Sequence, residues 1–259
     1  MNILDTIVEQ KRVEILKRKR KYPLASLGTF PFYGRPCNKI ALADLENRPG
    51  IIAEFKRKSP SRGFINPDCD PVSVASAYEE AGVAAMSILT DRNFFGGSFQ
   101  DLKQVREAHP DLVLLRKDFM IDPYQLHEAS AYGADMVLLI ASILDRREVE
   151  ELTLEAKSLG MNVLFEVHHK EELEKYHPDI RFVGVNNRDL KRFKVDTARS
   201  LELIGEMPPG VISVSESGLT GPGVIRTLWV AGYRLFLMGE TFMKEKNPGT
   251  ACRRLMESL

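Results

Sequence analysis

Read for period, the chain falls into short apolar runs at 51–55, 84–89, 112–115, 135–140, 162–167, 181–185, 211–214 and 234–238. Most are near-continuously apolar rather than alternating, as expected of parallel strands covered on both faces by helices. The segments between them carry helix punctuation. Ser98 with Asp101, Asp122-Pro123 with Gln125, and Asp145 with Glu148 each read as a cap followed by a first-turn partner, and Gly133 and Gly160 stand where helices should stop. Run starts recur at the length of one βα unit, so eight runs predict a (β/α)8 TIM barrel. An open doubly wound sheet is the alternative; the absence of G-x-G-x-x-G after the first run and of a P-loop weighs against it.

Residues 1–50 have a different pattern. Ile3, Leu4, Ile7, Val8, Ile15 and Leu16 lie roughly on one helical face, and Lys11, Arg12, Lys17, Arg18, Lys19, Arg20 and Lys21 make the segment basic. The simplest reading is a solvated helix packed on the barrel and ended by Tyr22-Pro23, in preference to a nucleic-acid or membrane attachment. Irregular chain from there to Gly50 is expected to lie over a barrel mouth. The domain expectation is thus a helical extension over residues 1–50 and a catalytic barrel over 51–259.

Composition narrows the class. The 259 residues carry 36 Lys+Arg against 36 Asp+Glu, which gives no global field for a polyanion. The longest apolar stretch, 136–144, is far short of the ~20 residues of a bilayer-spanning helix. The N-terminus has Asp5 and Glu9 where a secretory signal is apolar, and Cys37, Cys69 and Cys252 form no C-x-x-C pair, so a cytoplasmic location is expected.

In such a barrel, function sits at the C-terminal strand ends. Period-2 geometry puts Ile52, Glu54 and Lys56 on one face of the first run. The third run continues into Arg116-Lys117-Asp118, and the fifth ends Glu166-Val167-His168. The sixth is followed by Asn186-Asn187-Arg188, groups suited to polar or carboxylate recognition. After the seventh comes Ser215-Glu216-Ser217-Gly218, and after the eighth Gly239-Glu240-Thr241, where barrels often hold a phosphate. Lys56, Lys117, Glu54 and Glu166 beside a phosphate pocket suit metal-free acid/base chemistry on a sugar phosphate. His168 and His169 diverge on a strand and are read as ordinary histidines rather than ligands. Trp229 and the Phe94-Phe95 pair are read as packing residues, with Phe94-Phe95 placed to touch an aromatic ligand.

The motifs 52–61, 87–91, 116–125, 166–168, 186–190 and 215–218, taken in order, resemble those of the indole-3-glycerol-phosphate synthase family over nearly the whole chain. The basic extension resembles that family's too, and is absent from the related phosphoribosylanthranilate isomerase barrel. The resemblance implies ring closure of 1-(o-carboxyphenylamino)-1-deoxyribulose 5-phosphate, with loss of carbon dioxide and water, to indole-3-glycerol phosphate in tryptophan biosynthesis, by a carboxy-lyase without cofactor or metal. Lys117 would be the general acid toward the ribulose carbonyl oxygen, and Glu166 the base for rearomatisation and dehydration. Lys56 would pair with Glu54 and the substrate carboxylate, or serve instead as the dehydration acid. Ser59, Asn186 and Arg188 would contact the substrate, and Ser217, Gly218 and Gly239 would hold its phosphate. Glu240 is set aside, because a carboxylate beside a phosphate is repulsive unless it points away. A small-molecule sugar phosphate is the expected partner of a monomer, with no nucleic acid and no membrane. Two rivals are a Schiff-base aldolase using Lys56 or Lys117 as nucleophile and a non-catalytic binder gripping RNA or an anionic surface through the basic helix.

Overall fold

The structure, a computed structural model, describes residues 3–189 and 194–259. Leu190, the last residue of the 186–190 motif, lies outside the described residues. Eight strands close into a parallel barrel: β1 (Gly50–Phe55), β2 (Ala85–Leu89), β3 (Leu114–Lys117), β4 (Met136–Ile140), β5 (Asn162–Val167), β6 (Phe182–Asn186), β7 (Ile212–Glu216) and β8 (Leu235–Met238). Each pairs with its sequence neighbours, and β8 returns to β1 through Gly50↔Leu235 and Ile52↔Leu237.

The strands alternate between two apolar layers. Ile52, Leu115, Leu138, Leu164, Val214 and Leu237 fill the barrel, whereas Ile51, Ile88, Leu139, Phe165, Val183 and Phe236 face the surrounding helices. Both faces are therefore dry, which is why the runs read as continuously apolar. The third strand sits two residues later than its apolar run, so Arg116 and Lys117 are strand residues. They point to opposite sides. Arg116 enters the sheet–helix layer, donates to Thr90 Oγ1 (3.0 Å) and Asp118 Oδ2 (3.0 Å), and lies 4.3 Å over the Phe99 ring. Lys117 shares the inward face of Leu115.

Among the described residues the α-helices of six or more residues are α1 (Ile3–Lys21), α2 (Pro71–Glu80), α3 (Phe99–Ala108), α4 (Tyr124–Ala131), α5 (Arg146–Ser158), α6 (Ala198–Leu203), α7 (Pro222–Ala231) and α8 (Pro248–Glu257), and a 3-10 helix, Lys170–Lys175, lies between β5 and β6. Caps behave as their chemistry dictates. Asp145 and Glu148 form a reciprocal capping box on α5, and Ser98 accepts from Gln100 N at the start of α3. At α4 the cap is Pro123; Asp122 accepts from Tyr124 N, while Gln125 turns back to accept from Ile121 N.

One residue of α1 departs from the expectation of a solvated basic face. Its buried stripe is Leu4, Ile7, Lys11 and Ile15, whereas Leu16 is 59% exposed. Lys11 lies at the helical spacing of that stripe, is 2% exposed, and sits 2.8 Å from Asp118 and 3.0 Å from Asp91, at the ends of β3 and β2. The ion pairs outweigh the desolvation that burial imposes, and the Lys11 pKa is raised above the usual lysine value. Further along, Arg18 reaches Glu128 and Lys19 reaches Asp122 (2.7 Å), fastening α1 to the α4 side of the rim. The chain then descends. Asn38 bonds Asp135 and the carbonyls of Pro110 and Leu112, and Leu45 packs beside Gly50, so the last part of the 1–50 segment lies at the N-terminal ends of the strands rather than over the charged mouth.

Candidate active site

The inward alternation continues past the apolar part of each strand, and its next position is polar: Glu54 above Ile52, Lys117 above Leu115, Glu166 above Leu164, Asn186 above Gly184, and Glu216 above Val214. Strand pairing sets these residues side by side, with Glu166 opposite Gly184 and Glu216 opposite both Asn186 and Leu237. Glu54, Lys117, Glu166 and Asn186 of this layer line a cavity of about 800 Å³. Glu54, Lys56, Ser59, Lys117, Glu166, Asn186, Arg188, Ser217, Gly218 and Gly239, the ten residues singled out above, all line that one cavity.

Lys117 is the centre of the charge arrangement. Its Nζ donates to Glu216 Oε2 at 2.8 Å and lies 3.6 Å from Glu54 and 3.9 Å from Glu166. Burial by itself would push the ammonium pKa down; the three carboxylates overcome it and raise the pKa well above that of a free lysine. Glu54 also accepts from Lys56 Nζ at 2.7 Å, and the two lysines outweigh its burial and hold its carboxyl below the ordinary value. Glu166 moves the opposite way: burial raises it, and Lys117 with the Asn186 amide only partly compensates.

Glu216 was not among the ten, and it is the residue closest to Lys117. It is fully buried, with its Oε1 unpartnered, and burial together with the charge of Glu166 pushes its pKa up to about 7 against the pull of Lys117. The signal for it was available: Val214 and Glu216 are two apart, and alternation carried past the last apolar residue of the seventh run would have turned Glu216 inward.

Two glycines make room for this layer. A Cβ at Gly239 would lie 2.5 Å from Glu54 Oε1, and one at Gly184 would overlap Glu216 Oε1. Gly239 thus has a steric duty toward Glu54 besides any toward a ligand. At the end of β7, Ser217 and Gly218 have φ of 66° and 74°. A non-glycine residue held left-handed at a site is uncommon, and such turns bring successive N–H groups together at an anion-binding concavity.

The remaining groups occupy the rim. Glu240, set aside for its repulsion toward a phosphate, is held by Arg62 Nε at 2.8 Å and Arg188 Nη2 at 3.3 Å, so its charge is neutralised. Phe95 lines the cavity and tilts against Phe119 at 6.0 Å. Trp229 packs against the outer core beneath Arg234. His168 is buried and His169 exposed, so the adjacent rings diverge.

A closed parallel barrel with charged side chains gathered at its C-terminal strand ends places the protein in the class of (β/α)8-barrel enzymes. Solved structures agree on the fold. The chain is similar to KGPDC from Streptococcus mutans (TM-score 0.62, 14% identity, 82% of this chain and 97% of that one). It is likewise similar to a chain of the tryptophan synthase complex from Pyrococcus furiosus (TM-score 0.59, 14% identity, 81% and 97%). The model of the family "Indole-3-glycerol phosphate synthase" matches residues 4–255. Relatives bearing that name are 42% identical in Bacteroides thetaiotaomicron, over 100% of this chain and 99% of the relative, and 42% identical in Salinibacter ruber, over 98% and 95%. The chain belongs to the indole-3-glycerol phosphate synthase family. Its activity is that of the family: a carboxy-lyase reaction of tryptophan biosynthesis on a sugar-phosphate substrate.

Proposed function

We propose that the ring closure is carried by Lys117 as general acid and Glu166 as general base, with Glu216 as the group that reloads Lys117. The observation that carries this reading is the focusing of Lys117 Nζ by Glu216, Glu54 and Glu166 within 3.9 Å. As the anthranilate ring carbon attacks the ribulose carbonyl, negative charge grows on that oxygen, and the Lys117 ammonium stabilises it and hands over a proton. A protonated Glu216 returns a proton to the resulting amine along the 2.8 Å contact, because an amine held at so high a pKa outcompetes a carboxyl near 7. Loss of carbon dioxide follows. Dehydration then removes a hydroxyl with a proton from an acid and a ring-side proton to Glu166, whose raised pKa makes it a stronger base than a solvated carboxylate. Lys56 lies on the cavity wall at 2.7 Å from Glu54, a position that supports both charge pairing with the substrate carboxylate and donation during dehydration.

Ser217, Gly218 and Gly239 are proposed to hold the phosphate. Ser59, Asn186 and Arg188 on the same wall are proposed to contact the rest of the substrate. The reaction is redox-neutral and its proton transfers are served by side chains, so no cofactor enters this scheme. Residues 1–50 are proposed to act as an extension that braces the rim through Lys11 and closes the far end of the barrel through 35–49. The chain is proposed to work as a cytoplasmic monomer; its three cysteines are free, and among the described residues no helix is long and apolar enough to cross a membrane. A covalent lysine mechanism has less support, since an amine held so firmly protonated is a poor nucleophile. The test is to mix the purified protein with the carboxyphenylamino-ribulose phosphate and follow indole fluorescence, with borohydride present in a parallel reaction. Indole should appear, and no adduct should be trapped on Lys56 or Lys117.

A further inference from the structure

At the outer side of the cavity floor stands a histidine the scheme above does not use. The His168 side chain is 8% exposed and neither ring nitrogen has a hydrogen-bond partner, an uncommon state for a buried imidazole. The ring lies between two carboxylates. His168 Nε2 is 3.5 Å from Glu166 Oε1, and His168 Nδ1 is 3.8 Å from Glu172 Oε2. Both separations are just beyond hydrogen-bond length, so a small ring rotation closes either one. Glu172 is fixed for this purpose by its own bonds: its Oε2 accepts from the backbone N–H of His168 at 2.5 Å and of His169 at 3.3 Å. It is also the most exposed of the three, at 14% against 8% for His168 and 2% for Glu166.

The reaction supplies a reason for such a line of groups. At neutral pH the substrate carboxylate enters as an anion and leaves as neutral carbon dioxide. One proton goes onto the carbonyl oxygen and one onto the departing hydroxyl, while one returns from the ring side to the base. Each turnover therefore takes up one proton from solvent. Glu166 and Glu216 are buried and Lys117 is nearly so, and Lys117 and Glu166 line the cavity that the substrate is proposed to fill.

We propose that His168 is a positioning residue that acts through Glu166, relaying a proton from Glu172 at the solvent edge to the buried carboxylate. This rests on the assignment of Glu166 as base. Glu172, protonated from solvent, gives its proton to His168 Nδ1, and His168 Nε2–H passes its proton to Glu166 Oε1. A ring flip or reverse tautomerisation resets the imidazole, and Glu166 passes the proton by way of the Lys117 nitrogen, 3.9 Å from Glu166 and 2.8 Å from Glu216, back to Glu216, which gave up its own proton in reloading Lys117. The ring must be neutral and able both to accept and to donate. Burial lowers its pKa below the ordinary imidazole value, Arg199 of α6 and the adjacent His169 act in the same direction, and Glu172 and Glu216 of β7 oppose them.

The test compares one turnover with many. In His168→Gln, a single-turnover experiment started with Lys117 and Glu216 protonated and Glu166 ionised should close the ring at nearly the wild-type rate. Steady-state kcat should fall by roughly 10- to 100-fold, at or below the span of a direct general acid, with KM little changed. Added imidazole should restore kcat in His168→Gly but not in wild type. Glu172→Gln keeps an oxygen for the two backbone caps and should reproduce the steady-state defect without loss of thermal stability. Wild-type steady-state rates in His168→Gln would overturn the relay while leaving Glu166 as base. Equal loss in single and multiple turnovers, without imidazole rescue, would overturn it in favour of a purely structural histidine. Failure of the base assignment would show separately, as turnover retained by Glu166→Gln.

Discussion

Lys117 Nζ on β3 and Glu216 Oε2 on β7 lie 2.8 Å apart across the barrel, joining strands that are not neighbours in the sheet. Because Glu216 is pushed up to about 7 while Lys117 is pushed above its ordinary value, the pair holds an exchangeable proton near neutrality. Glu216→Gln should lower kcat by about 10²-fold or more. The wild-type kcat profile should decline as pH rises through about 7, where Glu216 loses the proton that reloads Lys117, and this limb should vanish in Glu216→Gln. Steady-state kinetics across pH checks both.

The same residue leaves a mark on stability. Its folded pKa is above the unfolded carboxyl value of 4.5, so between about 4.5 and 7 the native state binds more protons than the unfolded chain. Stability contributed through Glu216 is therefore lost as pH rises across that window. Denaturant melts of wild type and Glu216→Gln from pH 4.5 to 7.5 should show a steeper decline in the wild type.

The barrel layers were legible because the strands are buried on both faces, and eight apolar runs map onto eight strands with shifts of one or two residues at most strand ends. The polar inward layer was legible where its charge interrupts an apolar strand, as Glu54 and Glu166 do. It was illegible where the apolar run ended early: Ser215 and Glu216 read as loop, although both are strand residues. Lys11 was misread for a related reason. Helical period places it on the buried stripe, but a lysine is buried only when paired, and its partners Asp91 and Asp118 come from two distant strand ends. Such long-range compensation leaves no local trace.

Lys11→Met should therefore cost roughly 3–5 kcal/mol, because it leaves buried Asp91 without its cation and Asp118 with Arg116 alone. The Tm should drop by about 6 °C or more. In Lys11→Met/Asp91→Asn much of that loss should be recovered, since the unpaired charge is gone while an amide oxygen still caps Phe94 N. Calorimetry of the single and double variants measures both effects.

Gly184→Ala and Gly239→Ala test the packing of the charged layer. Each added methyl meets a carboxylate, Glu216 in the first and Glu54 in the second, and must displace it. Overpacking of this kind costs about 1–3 kcal/mol. Both variants should fold by circular dichroism, and both should lose kcat to a far greater degree than KM changes.

The first proton transfer proposed for the ring closure, onto the ribulose carbonyl oxygen, has Lys117 as its donor at the focus of the site. The most direct measurement is indole fluorescence formed from the carboxyphenylamino-ribulose phosphate by Lys117→Ala, alongside calorimetric binding of the product indole-3-glycerol phosphate to the same variant. Product should still bind while turnover drops to background; turnover at the wild-type rate would remove Lys117 from the chemistry.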